Sequence, residues 1–398
     1  MFRPVRLPGN MERSTTADLR KPLTVGQFTG GDQVPRAGQS RKAADDALTD
    51  RISVGLIIRT FPPELVDAAV ASCGRTEVRQ RLLPSRTTVY FVLAICLFTQ
   101  ESYARVAELL TDGLLWAGVD RASRRQPTTA AISRARARLG PEPLATLFTE
   151  VSRAPPAPPA SADRYRHWRV VTADAAAVPV PESEENRSCY GGQPVAVPAQ
   201  GRPARSRRGN LPRVHVLALG GHSSNTIRHA VLERPPDHPA GTLARELCGA
   251  LGTGDLLLAG DEFDDPATLA GAWATGADLV WRTRPRAPLQ TNALLPDGSR
   301  LCERAGFPGT VRVIGATPAS SAPLATTVLD HQEAPAPELI ALHHHRWRLH
   351  ASLASLGTLS PGRPQVLRSR WPDGVEQEVW GHLLIHHTLR SLIRATDS

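Results

Sequence analysis

Two acids that accompany apolar runs are the residues of this sequence best placed to do chemistry. Asp174 lies in the run 168–181, and Asp261 comes near the end of the run 255–263. The first run is short, apolar and bounded by prolines, which predicts a buried strand. A buried carboxylate is costly unless it is paired or bound to a metal, so Asp174 suggests a cation site. The competing interpretation is an Asp that caps the following turn, which is the commoner role of a lone Asp.

A second group of chemically capable residues lies near the end of the chain. A leucine stripe predicts a helix over residues 337–359, which is the longest helix candidate. His343, Arg346 and His350 follow one another at spacings of three and four, so they share another face of that helix. The histidine runs 343–345 and 386–387 raise the idea of a soft-metal site, but packed or solvated histidines are the interpretation we favour.

Arginines in two stretches have the spacing of phosphate contacts. Residues 127–140 predict a short helix with one packed face, and Arg134 and Arg138 stand one turn apart on a different face, as on a DNA-reading helix. The loop 201–210 joins glycine to clustered arginines, which lets backbone and guanidinium groups approach phosphates. The arginines that we assign to DNA there are Arg205, Arg207 and Arg208. A merely solvated surface is the alternative for both stretches.

The composition favours a polyanionic partner. The 398 residues contain 47 Lys and Arg against 38 Asp and Glu, a net charge of +9, and an excess of this size most simply indicates nucleic acid. A basic surface without such a partner is the alternative. The five cysteines form no C-x-x-C pair, which argues against a zinc site or a disulfide framework. No apolar run is long enough to cross a bilayer, so we expect a soluble protein of the cytoplasm.

The elements that must position these residues fall into several segments. Residues 1–45 are polar and basic and predict a disordered arm. Residues 46–153 have helical periodicity and predict a helical N-terminal domain. Residues 154–163 are rich in proline and alanine and predict a linker. Residues 164–395 then form the core, with a β-rich insertion at 284–330.

The order of elements in the core predicts an α/β fold. Three strands come first, then a helix, a strand, a helix and a further strand, which is the layout of a ribonuclease-H-like sheet. The predicted strands and helices are 168–181, 213–219, 226–232, 242–251 (helix), 255–263, 266–275 (helix) and 277–282, and a last helix covers 376–393.

The motifs occur together in an order that identifies a family. They are Val170-Val-Thr-Ala-Asp174, Leu256-Leu-Leu-Ala-Gly-Asp-Glu-Phe263, Ala277-Asp-Leu-Val-Trp-Arg282 and His343-His-His-Arg-Trp-Arg-Leu-His350. With the helical stretch 81–103 and the tail 366–379, they resemble the DDE transposases of insertion sequences of the "insertion sequence four" type. The resemblance covers roughly residues 45–395.

This resemblance implies a DNA transposase with a ribonuclease-H-like core, preceded by a helical DNA-binding domain. In the family, three carboxylates hold two Mg²⁺ ions, one of which activates a water or a 3′-hydroxyl while the other stabilises the leaving oxygen. The implied cofactor is Mg²⁺, or Mn²⁺. The implied partner is double-stranded DNA at the transposon ends, bound by a homodimer and associated with the nucleoid.

The family's site residues transfer to this sequence only in part. Asp174 matches the first acid, Gly260 stands at the register of the second acid with Asp261 one residue later, and His350 stands at the third. The family's Tyr and Lys positions hold His343 and Gly357. Arg346 and its neighbour Trp347 match, and we assign both to DNA binding.

The candidate catalytic residues are therefore Asp174, Asp261 and His350, with Asp174 and Asp261 as the metal ligands. A strand residue one step out of register faces the opposite side, so Asp261 can serve only if the strand ends or bulges before it. An imidazole is a poor ligand for Mg²⁺. The departures predict impaired catalysis, and the alternative is a non-catalytic DNA-binding relative or an inactive remnant. Trp281 either stacks on a flipped base or fills a core strand, and we favour the core.

Overall fold

The computed structural model describes most of the chain beyond residue 51. The described residues are 52–77, 79, 82–116, 126–153, 163–191, 211–233, 241–284, 289–315, 323–346, 353 and 366–396. Their helices are α1 (52–60), α2 (Pro63–Ser72), α3 (Ser85–Leu97), α4 (Tyr103–Trp116), α5 (Thr129–Leu139), α6 (Glu142–Arg153), α7 (Glu184–Tyr190), α8 (Thr242–Cys248), α9 (Pro266–Ala274), α10 (Ala336–His344) and α11 (Pro372–Thr396).

The strands of the described residues belong to one sheet. They are β1 (Arg164–Tyr165), β2 (Trp168–Pro179), β3 (Arg213–Gly221), β4 (Ile227–Glu233), β5 (Asp255–Ala259), β6 (Asp278–Arg282), β7 (Leu289–Leu294), β8 (Arg300–Arg304), β9 (Thr310–Ile314) and β10 (Leu324–Thr326). Their order is β4-β3-β2-β5-β6-β10-β9-β8-β7, and β1 pairs with β2. The predicted mixed α/β class is confirmed.

The centre of the sheet is parallel and buried on both faces. β2 pairs in parallel with β5, and β5 in parallel with β6, whereas β3 and β4 run antiparallel beside β2. All five residues of β5 are buried, as expected for a parallel strand between two layers of helices. Leu257 and Ala259 face the layer that contains α8 and α9, whereas Leu256 and Leu258 face the layer that contains α10.

The described part of the region 284–330 contains the strands β7 to β10, which widen the sheet. β10 pairs antiparallel with β6 and with β9, and β9, β8 and β7 follow as a meander. Backbone groups at the free edge of β6 are satisfied in this way. The insertion therefore extends the core sheet.

The described N-terminal helices share a hydrophobic core with the sheet and the last helix. One cluster contains residues of α1 to α6, Val178 of β2, Val214 and Val216 of β3, and the buried face of α11. Whether residues 46–153 and 164–395 are separate domains stays a prediction. The arm 1–45 and most of the linker 154–163 lie outside the described residues.

Local signals explain why α5 begins and ends where it does. Thr128 has an extended backbone, and its side chain accepts a hydrogen bond from the Ala131 N–H at 3.2 Å, a typical N-cap. Gly140 follows the last turn with φ +69°, a conformation that favours glycine. The predicted helix over 127–140 is confirmed in this form.

Two element boundaries differ from the sequence prediction. The strand predicted over 255–263 ends at Ala259, and Asp261–Phe263 form a single 3₁₀ turn. The long helix predicted over 337–359 is wrong at its centre, because α10 ends at His344 and a turn follows at 345–346. The longest helix of the described part is α11 instead. The leucine spacing continues past the end of α10 because it indicates which residues are buried on one side. It does not indicate whether the helical backbone is continuous.

Trp281 is a core residue. It is fully buried in β6, and its indole Nε1 donates to Asp264 Oδ1 at 2.8 Å. A buried indole N–H needs such a partner, so the core interpretation is confirmed.

In the described part of the chain, none of the helices combines the length and the apolar character that a membrane crossing requires.

Acidification is expected to destabilise the protein through the buried histidines of α11. Burial, with a smaller effect of Arg368, lowers the pKa of His382 from 6.5 to about 4. Because the unfolded chain takes up this proton at a higher pH than the folded chain, the stabilisation is complete above about pH 6.5 and is lost as the pH falls towards 4. Between pH 6.5 and 5, His382 contributes a loss of roughly 2 kcal/mol.

Urea unfolding at pH 7 and pH 5 measures this loss. We expect His382→Gln to reduce the difference between the two unfolding free energies, and the exposed His344→Gln to leave it unchanged. An equal pH dependence in all three proteins would contradict the assignment to His382.

Candidate active site

Asp174 is a buried carboxylate in the central strand of the sheet. It lies in β2 with 1% of its surface exposed. Its Oδ1 accepts a hydrogen bond from the Ala175 N–H at 2.8 Å, and its Oδ2 accepts one from Arg346 Nη1 at 3.2 Å. The ion pair with Arg346 offsets the cost of burying the charge.

The register of the parallel strands shows what lies beside Asp174. Thr172 in β2 pairs with Leu258 in β5. Two residues further along both strands, Asp174 is level with Gly260. Since side chains alternate between faces with a period of two, a side chain at position 260 would point to the same face as Asp174. The residue at that position has no side chain.

The space beside Gly260 is filled from the 3₁₀ turn that follows it. A Cβ atom built on Gly260 would lie 2.1 Å from Glu262 Oε2 and 2.4 Å from Glu262 Oε1. The Glu262 side chain therefore folds back over Gly260, and its carboxylate occupies the volume of a side chain at position 260. Partial burial raises the pKa of the Glu262 carboxyl, and the charge of Asp174 adds to that rise while Arg346 opposes it.

Arg346 joins the two acids. The same Nη1 atom lies 3.2 Å from Asp174 Oδ2 and 3.5 Å from Glu262 Oε1. The two carboxylate oxygens are therefore no farther apart than the sum of those distances. The Arg346 side chain is 6% exposed and that of Glu262 is 32% exposed, so the cluster opens to solvent on the Glu262 side.

His343 supports the same end of β5. Its Nε2 lies 2.8 Å from the carbonyl oxygen of Ala259, which can only accept, so Nε2 carries the proton. Burial lowers the pKa of His343 to about 4, against the effect of that hydrogen bond. The imidazole is therefore neutral at pH 7, and it ties α10 to the last residue of β5.

Asp261 precedes Glu262 in the same 3₁₀ turn. It is exposed, and its carbonyl oxygen accepts from Arg284 Nε at 3.3 Å. The strand does end before Asp261, as the sequence prediction required, but the acid that meets Arg346 is Glu262. The assignments of Asp261 to catalysis and to metal binding stay predictions.

The turn that carries Glu262 is anchored on both sides. Phe263 is 1% exposed in the core between β5 and α9. Asp264 is buried in an ion pair with Arg304, and it also accepts from the Trp281 indole and from the Arg284 N–H, each at 2.8 Å. These contacts hold the 3₁₀ turn in place, so the position of Glu262 follows from the core.

Comparisons with known proteins agree with this arrangement of motifs. The family described as "Insertion element 4 transposase N-terminal" matches residues 51–149. The chain is also 25% identical over 347 residues to the transposase InsG for insertion sequence element IS4 of Escherichia coli strain K12, a match that covers 82% of this chain and 74% of InsG. Both matches support an IS4-type transposase. The predicted family is therefore confirmed.

One solved structure gives a looser match. It is the piggyBac transposase synaptic complex with hairpin DNA, determined by cryo-EM. The TM-score is 0.43 at 10% identity, over 84% of this chain and 73% of the other. At that level of similarity, no residue of this chain is assigned from it.

Several residues that the sequence singled out lie outside the described part of the chain. They are Arg205, Arg207, Arg208, Trp347, His350 and Gly357. Their assignments to DNA binding and to catalysis stay predictions. Among the described residues, no group of three or more His, Cys, Asp or Glu side chains is arranged to hold a metal ion.

The two arginines that were predicted on α5 differ in their surroundings. Arg134 is exposed. Arg138 lies 3.3 Å from Glu77 Oε1, and its side chain is 38% exposed. Both remain candidates for DNA contacts, but Arg138 has a local anion with which DNA must compete.

A third arginine on the same helix was missed by the sequence analysis. Arg136 is fully buried, and its guanidinium makes five hydrogen bonds that tie α5 to α4, to α11 and to the segment before α11. The partners are Gln377, Tyr103, Ser369, Glu378 and the carbonyl of Gly374, at distances of 2.8–3.3 Å. The signal was available, since position 136 is four residues after Ile132 and three before Leu139, on the packed face.

The acids that are present suit a hard divalent cation. Asp174 and Glu262 offer carboxylate oxygens, the donors that Mg²⁺ and Mn²⁺ prefer, and a positive charge already lies between them in the form of Arg346. The donor set fits in kind. The described residues contribute two carboxylates where the family resemblance implies three.

Glu262 was also missed by the sequence analysis. From the sequence, only Asp261, next to the expected register, is predicted as the second acid. A glycine at that register followed by two acids was the available signal, because the glycine leaves room that a longer side chain can enter from the next turn.

Proposed function

We propose that this IS4-type transposase binds the DNA ends of an insertion sequence and carries a metal-dependent strand-cleavage centre built on Asp174, whose catalysis is impaired in this copy. The observation that carries the proposal is the Asp174–Arg346–Glu262 cluster, which lies at the carboxyl end of β5, beside the middle of the adjacent parallel strand β2. Ligand sites of open α/β sheets lie outside such strand ends.

The strand order supports a ribonuclease-H-like core. The first five strands of that core lie in the order β4-β3-β2-β5-β6, with the second of them, β3, antiparallel to its neighbours. We assign the helices of 46–153 to DNA binding on the net charge of +9 and on the exposed Arg134 of α5.

Impairment follows from the residues that replace the family's acids. When bound, Mg²⁺ would supply Lewis-acid activation of a water or a 3′-hydroxyl at the scissile phosphate. Within the chain, Asp174 holds its charge in an ion pair with Arg346, and the third acid position holds His350. A cation that enters has to displace the guanidinium, and an imidazole there is a weak partner for Mg²⁺.

DNA binding is the first expected result. In a gel-shift titration, we expect the protein to bind duplexes that carry the element's end sequence, with an affinity that falls steeply as salt increases. Arg134→Ala should reduce the salt slope by about one, the effect of one lost phosphate contact. Arg138→Ala should have a smaller effect, because Glu77 already pairs with Arg138.

A strand-cleavage assay on the same ends separates the two catalytic outcomes. Cleavage in Mg²⁺ or Mn²⁺ that Asp174→Ala abolishes would support an active centre of reduced rate. Cleavage only after restoration, with Gly260→Asp, Glu262→Ala and His350→Glu combined, would support an intact fold that has lost its chemistry. Glu262 has to be removed in that variant because its carboxylate occupies the space of a side chain at 260.

A non-catalytic DNA-binding relative, or an inactive remnant, is the second candidate. The observation that favours it is the neutralisation of Asp174 by a buried arginine. Such a protein would bind the ends and occupy them without cutting, as a homodimer in the cytoplasm and at the nucleoid. Absence of duplex binding at moderate salt would contradict both candidates.

A further inference from the structure

We propose that Glu262 supplies the second carboxylate of the metal site, by reaching back over Gly260 from the turn after β5. The inference rests on the proposed function, because it assigns a ligand to the same centre. It replaces Asp261, the acid that lies closest in sequence to the expected register. The residues that carry it are Asp174, Gly260, Glu262 and Arg346.

Position 260, which lies opposite Asp174 on the neighbouring strand, carries no side chain because it is a glycine. The pairing of Thr172 with Leu258 places Asp174 level with Gly260, and equal parity turns both positions to one face. An acid at 260 would therefore stand next to Asp174 on the neighbouring strand. Gly260 has φ −85° and ψ −175°, an extended conformation that any residue adopts, so the backbone there does not require glycine.

The second step is the position of the Glu262 carboxylate. Both of its oxygens, and the carbon between them, lie within 2.5 Å of where a Cβ of residue 260 would be. A glutamate has two methylenes before its carboxylate, which is enough to return from the next turn to that point. The Glu262 carboxylate therefore occupies the space of a side chain at position 260, although it belongs to a residue two positions later in the chain.

The third step is the cation that the two acids already share. Arg346 Nη1 contacts Asp174 Oδ2 at 3.2 Å and Glu262 Oε1 at 3.5 Å. Ligand oxygens lie about 2.0–2.1 Å from Mg²⁺, and paired catalytic metals lie about 3.5–4 Å apart. The separation of the two acids is compatible with such a pair of ions. Arg346 acts as the resident counter-charge, which a divalent ion has to displace.

The fourth step distinguishes Glu262 from its neighbour. Asp261 is exposed, and the structure places its backbone, through the carbonyl, against Arg284. Glu262 is held in the cluster because Phe263 and Asp264, on its other side, are fixed in the core. The anchored turn places the Glu262 carboxylate 3.5 Å from Arg346 Nη1, the atom that also contacts Asp174.

Binding of Mn²⁺ to the full-length protein without DNA tests the assignment. Electron paramagnetic resonance of free Mn²⁺ gives the affinity directly, with no need for activity. We expect Glu262→Gln and Asp174→Asn each to weaken binding by at least about tenfold, the cost of disturbing a metal centre. The matched control, Asp261→Asn, should change the affinity less than about twofold.

A relocation variant sharpens the test. Gly260→Asp combined with Glu262→Ala returns the carboxylate to the strand, so it should recover the Mn²⁺ affinity that Glu262→Ala alone loses. Arg346→Gln should raise the affinity, because two acids then lack their counter-charge. Circular dichroism of each variant confirms that the chain is folded.

Three outcomes would overturn the assignment. One is weaker Mn²⁺ binding in Asp261→Asn with unchanged binding in Glu262→Gln. Another is the absence of Mn²⁺ binding by the unmodified protein and by Arg346→Gln. The third is a relocation variant that stays as weak as Glu262→Ala. Gel-shift binding in EDTA measures the proposed DNA binding separately. A failure of metal binding can therefore be distinguished from a failure of DNA binding.

Discussion

Replacing Arg136 by methionine is expected to destabilise the protein by about 3–5 kcal/mol, the cost of removing one partner of a buried ion pair. The Arg136 guanidinium is fully buried, and it lies 3.3 Å from Glu378 Oε1, whose side chain is 3% exposed. Methionine fills part of the volume and makes none of the hydrogen bonds. Glu378 would then keep a buried charge without its guanidinium, and Gln377 Oε1 would lose the donor that lies 2.9 Å away.

Urea unfolding gives the measurement, with Arg134→Met as the matched control. Arg134 lies on the same helix but is exposed, so its replacement should change the unfolding free energy by no more than about 0.5 kcal/mol. Combining Arg136→Met with Glu378→Gln should recover part of the loss, because the uncompensated charge is then gone. Equal effects at 134 and 136 would show that the buried network contributes little to stability.

Replacing Asp264 by alanine is expected to lower the free energy of unfolding by a similar amount, about 3–5 kcal/mol. Asp264 and Arg304 form an ion pair whose side chains are 1% and 3% exposed. The carboxylate also accepts from the Trp281 indole and from the Arg284 N–H. Alanine would leave a buried guanidinium without its carboxylate and two further donors without an acceptor, each of which is costly.

The adjacent Asp265 is the matched control for Asp264. Asp265 caps α9, accepting from the Thr268 N–H and from the Thr268 hydroxyl, both at 2.9 Å. Loss of such a cap costs about 1 kcal/mol, so Asp265→Ala should be several-fold milder in the same urea experiment. If Asp264→Ala were as mild as Asp265→Ala, the anchoring of the turn would have to come from Phe263 alone.

The strands and short helices could be predicted from the sequence because their signals are local. The prolines around β2 and the cap and glycine around α5 act within a few residues of the elements that they bound. The pairing of β10 with β6 could not be predicted in this way. It depends on residues more than 40 positions apart, whose side chains carry no mark of their partner strand.

The candidate site shows the same division. Asp174 could be found because an acid in an apolar strand is unusual, and Arg346 because it stands in a family motif. Glu262 could not be placed, because its role depends on where β5 ends and on how the next turn folds. A one-residue difference in the end of a strand decides which side chain reaches the site.

The network around Arg136 has a consequence for synthesis of the chain on the ribosome. Arg136 and Gln377 are 241 residues apart, and α3 and α6 also pack against α11. The N-terminal helices therefore leave the ribosome long before α11, the helix that completes their core. Their apolar faces stay uncovered by α11 through most of translation. Exposed faces of this kind are prone to aggregate. A copy of the gene truncated shortly before codon 366 would yield a chain that lacks only its last segment. Its first helices would nevertheless lack α11, against which α3 and α6 pack.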